Sequence, residues 1–213
     1  RCGLDVIQVD ADSGPIGGKD SSEFISIASS GEDTIFCCSS CAYAANSEKA
    51  EFSKVITSSA RDMSEEIQVI ETPNTKTIDK LSVLLNIDKN EIIKTVLYKT
   101  SKGLIAISIR GDLEINETKL RNYLNEVPIS ASQEDLKLEG MVSGYLSIRN
   151  MKIPSIIDDS INVKSCYVTG ADKEGYHLKN VIPERDLKYN KIIDVALAQE
   201  GLSCVRCEGI LEK

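Results

Sequence analysis

Two pairs of cysteines with CxxC spacing stand near opposite ends of this chain of 213 residues. The first pair is Cys38 and Cys41, and the second is Cys204 and Cys207. A structural zinc site commonly uses four thiolates in a tetrahedron, and each CxxC turn can supply two of them. The pattern therefore predicts a structural zinc site that holds two distant segments together, with the residues between them folded as an insertion.

The sequence leaves other interpretations of these cysteines open. Cys37 could replace Cys38 in the ligand set, although its spacing to Cys41 is less usual, and the pairs could also be free buried thiols or redox-active pairs. Cys2 and Cys166 are expected to be ordinary buried thiols. Because the seven cysteines are an odd number and no export signal opens the chain, we expect a reducing, cytoplasmic environment.

Composition and charge exclude two classes of protein. No apolar run reaches the length of about 18 residues that a membrane-spanning helix needs, so no membrane partner is expected. The formal net charge is −8, whereas a protein that coats nucleic acid is basic. Recognition of one RNA end needs only a few cations in a cleft and stays compatible with this charge. The chain opens on Arg1 rather than Met, from which we expect a piece excised from a longer protein.

The pattern of apolar, polar and turn-forming residues divides the chain into three segments. Residues 1–62 are typical of antiparallel hairpins, residues 63–188 alternate strands and helices without a βαβ period, and residues 189–213 return to strand or loop. The fold class predicted from this pattern is α+β, with a mixed, mainly antiparallel sheet or barrel and surrounding helices. In the middle segment, apolar residues at Ile78 and Leu81 begin a helical spacing, with Asn74 or Thr75 as the expected N-cap.

The middle segment lacks the motifs of hydrolases that use a strong nucleophile. The chain has a single histidine, His177, and it contains neither GxSxG nor HExxH. A Ser/His/Asp triad could be built only through His177, and no spacing supports one. Any hydrolytic activity would therefore rely on a positioned water and a stabilised oxyanion.

Three groups of motifs, in order, resemble bacterial-type prolyl-tRNA synthetases. The first group is "VDADSGPIGGKDSSEF" with "SGEDTIFCCSSCAYAANSEKAE", the second is "ETPNTKTIDKLSVLLNIDKNEIIKTVLYKT" with "IRGDLEINETKL", and the third is "RDLKYNKIIDVALAQEGLSCVRCEGILEK". The resemblance covers essentially the whole chain. It implies that residues 63–188 form the inserted editing domain, similar in fold to free-standing aminoacyl-tRNA deacylases. Residues 1–62 and 189–213 would be hairpin-bearing strips of the class II catalytic domain.

The resemblance also implies an activity and its limits. The editing domain of the family hydrolyses the ester of mischarged Ala-tRNA(Pro), so the expected partner is the acceptor end of tRNA(Pro). The arginines that bind ATP in the family lie outside this chain, so ATP-dependent prolylation is not expected from it. ATP and Mg²⁺ would serve only the full-length synthetase, which is expected to be a homodimer.

Three side chains match residues of the family's editing site. Lys94 in "IIKTVLYK" matches the editing lysine, which would meet the terminal phosphate or ribose. His177 in "GADKEGYHLKN" matches a histidine near the tRNA 3′ end, and Asp158 in "IPSIIDD" matches an aspartate beside the pocket. Each also has a structural interpretation, because a lysine is usually solvated, a lone histidine on a strand is often buried, and an aspartate can cap a turn.

A fourth match is Gly144, where the family has a Gly-x-x-x-Pro loop that supplies backbone donors. Here Ser147 and Ile148 stand where the family usually has Gly-Pro, which puts the shape of the loop in question. The departure raises a rival hypothesis, that the insert has lost hydrolysis and only contacts tRNA or shapes the synthetase. A free-standing deacylase is a weaker alternative, since it would not need the catalytic-domain motifs at both ends.

Overall fold

The computed structural model describes residues 3, 5–12, 21–26, 28, 31, 33–54 and 65–213. The chain is divided into two compact units. The flanking unit comprises Arg1–Val55, Asn116–Lys119 and Ala196–Lys213, and the central unit comprises Ile56–Ile115 and Leu120–Val195. The predicted boundary between residues 62 and 63 lies outside the described residues. The boundary between 188 and 189 stays a prediction, and the central unit continues to Val195.

One five-stranded sheet forms the flanking unit, in the order β13-β3-β4-β1-β2. Its strands are β1 (Ile7–Ala11), β2 (Ser21–Ile25), β3 (Ile35–Cys38), β4 (Ala44–Asn46) and β13 (Leu211–Glu212). The pairs β1–β2, β3–β4 and β3–β13 are antiparallel, and β1 and β4 meet in a parallel pairing. This sheet joins residues from the two ends of the described chain, because β13 lies beside β3.

Two further sheets form the central unit, in the orders β10-β11-β5 and β12-β9-β7-β6-β8. Their strands are β5 (Gln68–Glu71), β6 (Ile93–Thr100), β7 (Gly103–Arg110), β8 (Ile129–Ser130), β9 (Ser155–Asp158), β10 (Tyr167–Gly170), β11 (Tyr176–Val181) and β12 (Lys191–Ile193). The pairs β7–β9 and β9–β12 are parallel, and the other pairs in these sheets are antiparallel. The predicted α+β class with mainly antiparallel pairing is confirmed.

The β6–β7 hairpin organises the larger sheet of the central unit. Its two-residue loop follows the pairing of Thr100 with Gly103, and Gly103 supplies the positive φ of 109°. Successive side chains of β6 point to opposite faces, so Ile93 and Leu97 enter one apolar cluster while Tyr98 enters another. β7 is buried on both faces, which explains its nearly continuous apolar sequence.

The helices are short and lie at α1 (Ile78–Leu85), α2 (Glu117–Leu124), α3 (Gln133–Leu138) and α4 (Pro183–Asp186). The predicted helix at Ile78 is confirmed, but the predicted cap at Asn74 or Thr75 is wrong. Thr77 is the N-cap, because its side chain accepts from the Lys80 amide. None of the helices in the described ranges is both long and apolar enough to cross a bilayer.

Candidate functional site

The loop around Gly144 approaches other backbone segments closely. Gly144 has φ +84°, and a Cβ at this position would lie 2.9 Å from the carbonyl oxygen of Lys76. A Cβ at Gly170, at the end of β10, would collide with the carbonyl group of Tyr145. Both glycines are therefore required by backbone contact, and together they fix the loop between the Lys76 segment and β10.

The loop keeps a defined shape although Ser147 and Ile148 replace the Gly-Pro of the family pattern. The Ser147 amide donates to Asp172 Oδ1 at 2.8 Å, and the Asp172 amide donates to the Tyr145 carbonyl at 2.8 Å. Burial raises the pKa of Asp172. Ile148 is 1 % exposed and packs in the apolar cluster beneath the loop. Hydrogen bonds to Asp172 and apolar packing thus take the place of a proline restraint.

His177 lies beside this loop on β11 and is 4 % exposed. Its Nδ1 is 2.6 Å from the hydroxyl oxygen of Thr72, and its ring centroid is 5.2 Å from that of Tyr145. Burial lowers the pKa of His177 to about 4. The imidazole is therefore neutral at neutral pH, and its tautomer is coupled to the Thr72 hydroxyl. The Tyr145 hydroxyl is buried and has no hydrogen-bond partner among the described residues.

A cavity of about 340 Å³ opens next to Gly144. Its wall also includes Leu136 and Met141, and its rim carries Lys76 and Glu174. The Lys76 ammonium lies 2.9 Å from Glu174 Oε1, and that hydrogen bond raises the pKa of Lys76. The volume falls in the range of roughly 300–1,000 Å³ that is typical of small-molecule sites. The cavity thus combines an apolar wall, a charged rim and a close-packed backbone turn.

Lys94 lies on β6, and its ammonium is 2.6 Å from Glu114 Oε1. Its side chain points to the face of the sheet that carries Tyr98, opposite to Ile93. Ile93 packs in the same cluster as Leu146 and Ile148 of the Gly144 loop. The Lys94 side chain is therefore on the other side of the strand from the core that supports this loop.

Asp158 ends β9 and is completely buried. Its Oδ1 accepts from the Ser160 amide at 2.9 Å, and its Oδ2 accepts from the Val195 amide at 2.7 Å. A carboxylate with both oxygens engaged by backbone amides ties the end of β9 to the segment that follows β12. Asp158 therefore stabilises the backbone of the central unit at the end of β9.

The structure places the four predicted editing-site residues in two groups. Gly144 and His177 both adjoin Tyr145. Lys94 and Asp158 lie on the face of the larger sheet that carries Tyr98 and Ile156, where Lys94 contacts Glu114 and Asp158 accepts from the Val195 amide. Sequence reasoning missed Thr72, Tyr145 and the Lys76–Glu174 pair. Their partners are distant in sequence, and a threonine 105 positions from the histidine carries no local signal of the contact.

The four predicted zinc ligands come together in the flanking unit. The Sγ atoms of Cys38, Cys41, Cys204 and Cys207 all lie within 4.8 Å of one another. Cys37 precedes them on β3 with its side chain on the opposite strand face, so it is not part of this cluster. Cys166 is a buried thiol of the central unit, and Cys2 lies outside the described residues.

The ionisation of these thiols is uneven. The hydrogen bond from the Ser40 amide is the main cause that lowers the pKa of Cys38 to about 7. The hydrogen bond from the Gly209 amide likewise lowers the pKa of Cys207. The hydrogen bond between Cys207 and Cys38, together with desolvation, outweighs this effect and raises the pKa of Cys207 to about 12. Four adjacent thiolates repel one another, so full ionisation of the cluster requires a cation.

Comparison with known proteins identifies the central unit. A family model described as "Aminoacyl-tRNA editing domain" matches residues 72–187, which is more than half of the chain. The chain belongs to the aminoacyl-tRNA editing domain family. The matched range of this editing domain includes Lys94, Gly144, Asp158 and His177.

Curated relatives extend the similarity beyond the editing domain. A proline–tRNA ligase of Dehalococcoides mccartyi is 42% identical over 212 residues, which are 98% of this chain and 37% of the relative. A proline–tRNA ligase of Syntrophus aciditrophicus is 38% identical over 220 residues, which cover 100% of this chain and 37% of the relative. The chain thus spans a little over a third of the length of these relatives. The predicted resemblance to bacterial prolyl-tRNA synthetases is confirmed.

Solved structures agree on the fold of the editing domain. The crystal structure of a candidate trans-editing enzyme for prolyl tRNA synthetase superposes with a TM-score of 0.54 at 15% identity. The match covers 62% of this chain and 87% of that chain. At this identity the likeness shows the fold alone, and it supports the α+β class.

Proposed function

We propose that this chain is the editing part of a prolyl-tRNA synthetase and hydrolyses the ester of mischarged Ala-tRNA(Pro). The observation that carries the proposal is the editing-domain match inside a chain that resembles proline–tRNA ligases along its whole length. The acceptor end of tRNA(Pro) is the proposed partner. The full-length protein would be a cytoplasmic homodimer that needs ATP and Mg²⁺ for prolylation, and this chain alone would not prolylate.

The proposed reaction is ester hydrolysis by water. A water oxygen attacks the alanyl carbonyl carbon, the bond to the terminal ribose oxygen breaks, and that oxygen receives the proton, which releases alanine and tRNA. The developing oxyanion needs donors that are already oriented. The amides of Tyr145 and Ser147 donate to other groups, so our candidate donor from the loop is the Gly144 amide at the cavity wall.

The remaining residues have proposed supporting roles. Neutral His177 is buried against Thr72 and Tyr145, so its proposed stacking or hydrogen bonding with the terminal adenosine would require its ring to become exposed when tRNA binds. Lys94 would reach the terminal phosphate or ribose after release from Glu114. Asp158 would keep the end of β9 in place beside the site. A synthetic site gains only about 1–3 kcal/mol from one or two methylenes, so a second site would be needed to select alanine. That selection would require a subsite too small for proline within the cavity of about 340 Å³ next to Gly144.

The test is release of the amino acid from tRNA(Pro) charged with alanine, cysteine or proline. We expect this chain to deacylate the alanyl ester faster than buffer and faster than the prolyl ester. Equal release in the presence and absence of protein would overturn the proposal. If a titration shows tRNA binding without turnover, the rival hypothesis of a non-catalytic tRNA-contacting insert is favoured instead.

Lys94→Ala tests the role of the lysine within this activity. We expect a slower rate or a changed preference between alanyl and prolyl esters, because the cation for the terminal nucleotide is lost. Glu114→Gln is the matched control, since it breaks the same ion pair and keeps the ammonium. Equal loss in both variants would mean that the ion pair, and not the cation, supports activity.

A further inference from the structure

The sulfur atoms of the cysteine cluster have the spacing of a tetrahedral metal site. Cys38 Sγ and Cys207 Sγ are 3.4 Å apart, and Cys41 Sγ and Cys204 Sγ are 3.8 Å apart. Four sulfurs at about 2.3 Å from a central zinc stand about 3.8 Å from each other. Each close pair takes one sulfur from each CxxC motif, so both motifs are needed to complete one site.

Backbone amides surround the cluster with donors. The amides of Ser40, Arg206 and Gly209 each lie 3.3 Å from the sulfur two positions earlier, on Cys38, Cys204 and Cys207 respectively. Such N–H groups favour the thiolate form, which is the form that binds a metal. The same turn geometry thus recurs in both motifs, although they lie at opposite ends of the described chain.

Gly209 shows that the site is closely packed. A Cβ at this position would lie 2.7 Å from Cys38 Sγ and 2.8 Å from the Ser40 side chain. The Gly209 carbonyl accepts from the Cys204 amide at 2.7 Å, which closes the loop that presents Cys204 and Cys207. Ser203 and Ile210 pair across the base of this loop.

We propose that Cys38, Cys41, Cys204 and Cys207 bind one structural Zn²⁺. Closed tetrahedral thiolate sites take zinc or iron, and a site with no open position suits a structural rather than a catalytic ion. The ion joins the turn between β3 and β4 to the loop before β13, so it links the segments that precede and follow the editing domain. This role is independent of the editing activity.

The test is metal content and thiol count of the full chain purified from zinc-supplemented medium. We expect one zinc per chain, released when four thiols are titrated, and thiolate charge-transfer bands when Co²⁺ replaces it. Cys204→Ser should abolish stoichiometric zinc. Cys37→Ser and Cys166→Ser are matched controls and should retain it, because neither sulfur belongs to the cluster.

Two further variants keep the proposal testable if Cys204→Ser does not fold. Cys207→His should retain zinc with lower affinity, because three thiolates and an imidazole also form structural zinc sites, whereas Cys207→Ser should lose it. Gly209→Ala should weaken zinc binding through its contact with Cys38. Iron in place of zinc, two disulfides, or metal-free protein with unchanged stability would each overturn the proposal.

Discussion

The flanking unit and the central unit differ in the side chains that they bury. Of the largest fully buried side chains in the described residues, Leu211 alone belongs to the flanking unit, whereas the central unit buries many isoleucines and leucines. Small residues such as Ala11 and Ala45 fill much of the flanking sheet. Phe36, Tyr43 and Phe52 are the large aromatic side chains buried in the described part of the flanking unit. A small unit gains most from a cross-link, and the cysteine cluster lies there. The cysteine cluster and the range that matches the editing-domain family therefore belong to separate units.

Removal of the proposed zinc gives the sharpest test of this difference and the largest expected effect. Structural zinc contributes about 10–16 kcal/mol of apparent binding free energy in small domains. After treatment with a strong zinc chelator, amides of β3, β4 and β13 should lose protection from hydrogen exchange. Amides of β6, β7 and β9 should keep theirs, since an apolar core holds these strands. Equal loss in both units would contradict the separation.

Asp158→Asn should cause the next largest change, confined to the central unit. The neutral Asn side chain offers one carbonyl oxygen and one NH2 group, so one of the two backbone amides that donate to Asp158 would face another donor. We expect a cost of roughly 1–3 kcal/mol in the free energy of unfolding. Asp159→Asn is the control, because the neighbouring carboxylate is exposed. Denaturant unfolding of both variants gives the comparison. If Asp158→Asn retained full stability but lost deacylation, its role would be in the chemistry.

Gly144→Ala should change both stability and deacylation. A side chain at φ +84° is strained, and its Cβ would also press on the Lys76 carbonyl oxygen, so we expect a cost of about 1–3 kcal/mol. Gly140→Ala is a matched control, because Gly140 has φ +66° with no atom within 4 Å of the added Cβ. A larger loss of deacylation rate in Gly144→Ala than in Gly140→Ala would support the role of the loop in the reaction.

At mildly acidic pH, the smallest expected effect is a dependence of stability on pH through His177. Burial lowers its pKa from 6.5 to about 4 in the folded protein, so between these values the unfolded chain binds more protons. The stability present above pH 6.5 should therefore fall as the pH drops toward 4. His177→Asn should flatten this part of the curve of melting temperature against pH. An unchanged slope would mean that other groups titrate in this window.

Several features of the fold and site could be predicted because their signals are local. The spacing of Ile78 and Leu81 indicated α1, and the two CxxC motifs indicated a cluster of four cysteines. The N-cap of α1 was misplaced because Asn74, Thr75 and Thr77 are all residue types that cap helices, and the backbone geometry decides between them. The contacts of Lys94 and Asp158 could not be predicted, since Glu114 and Val195 are brought to them by strand pairing.

The sequence by itself determined the family, the α+β class and the identity of the paired cysteines, because these depend on residue types in a fixed order. The tertiary structure decided which of those residues meet. It assembled the two CxxC motifs into one cluster, paired Lys94 with Glu114, and placed His177 against Thr72 and Tyr145. The physical reason is that strand register and face alternation set these contacts, and both arise from pairings between segments far apart in the chain.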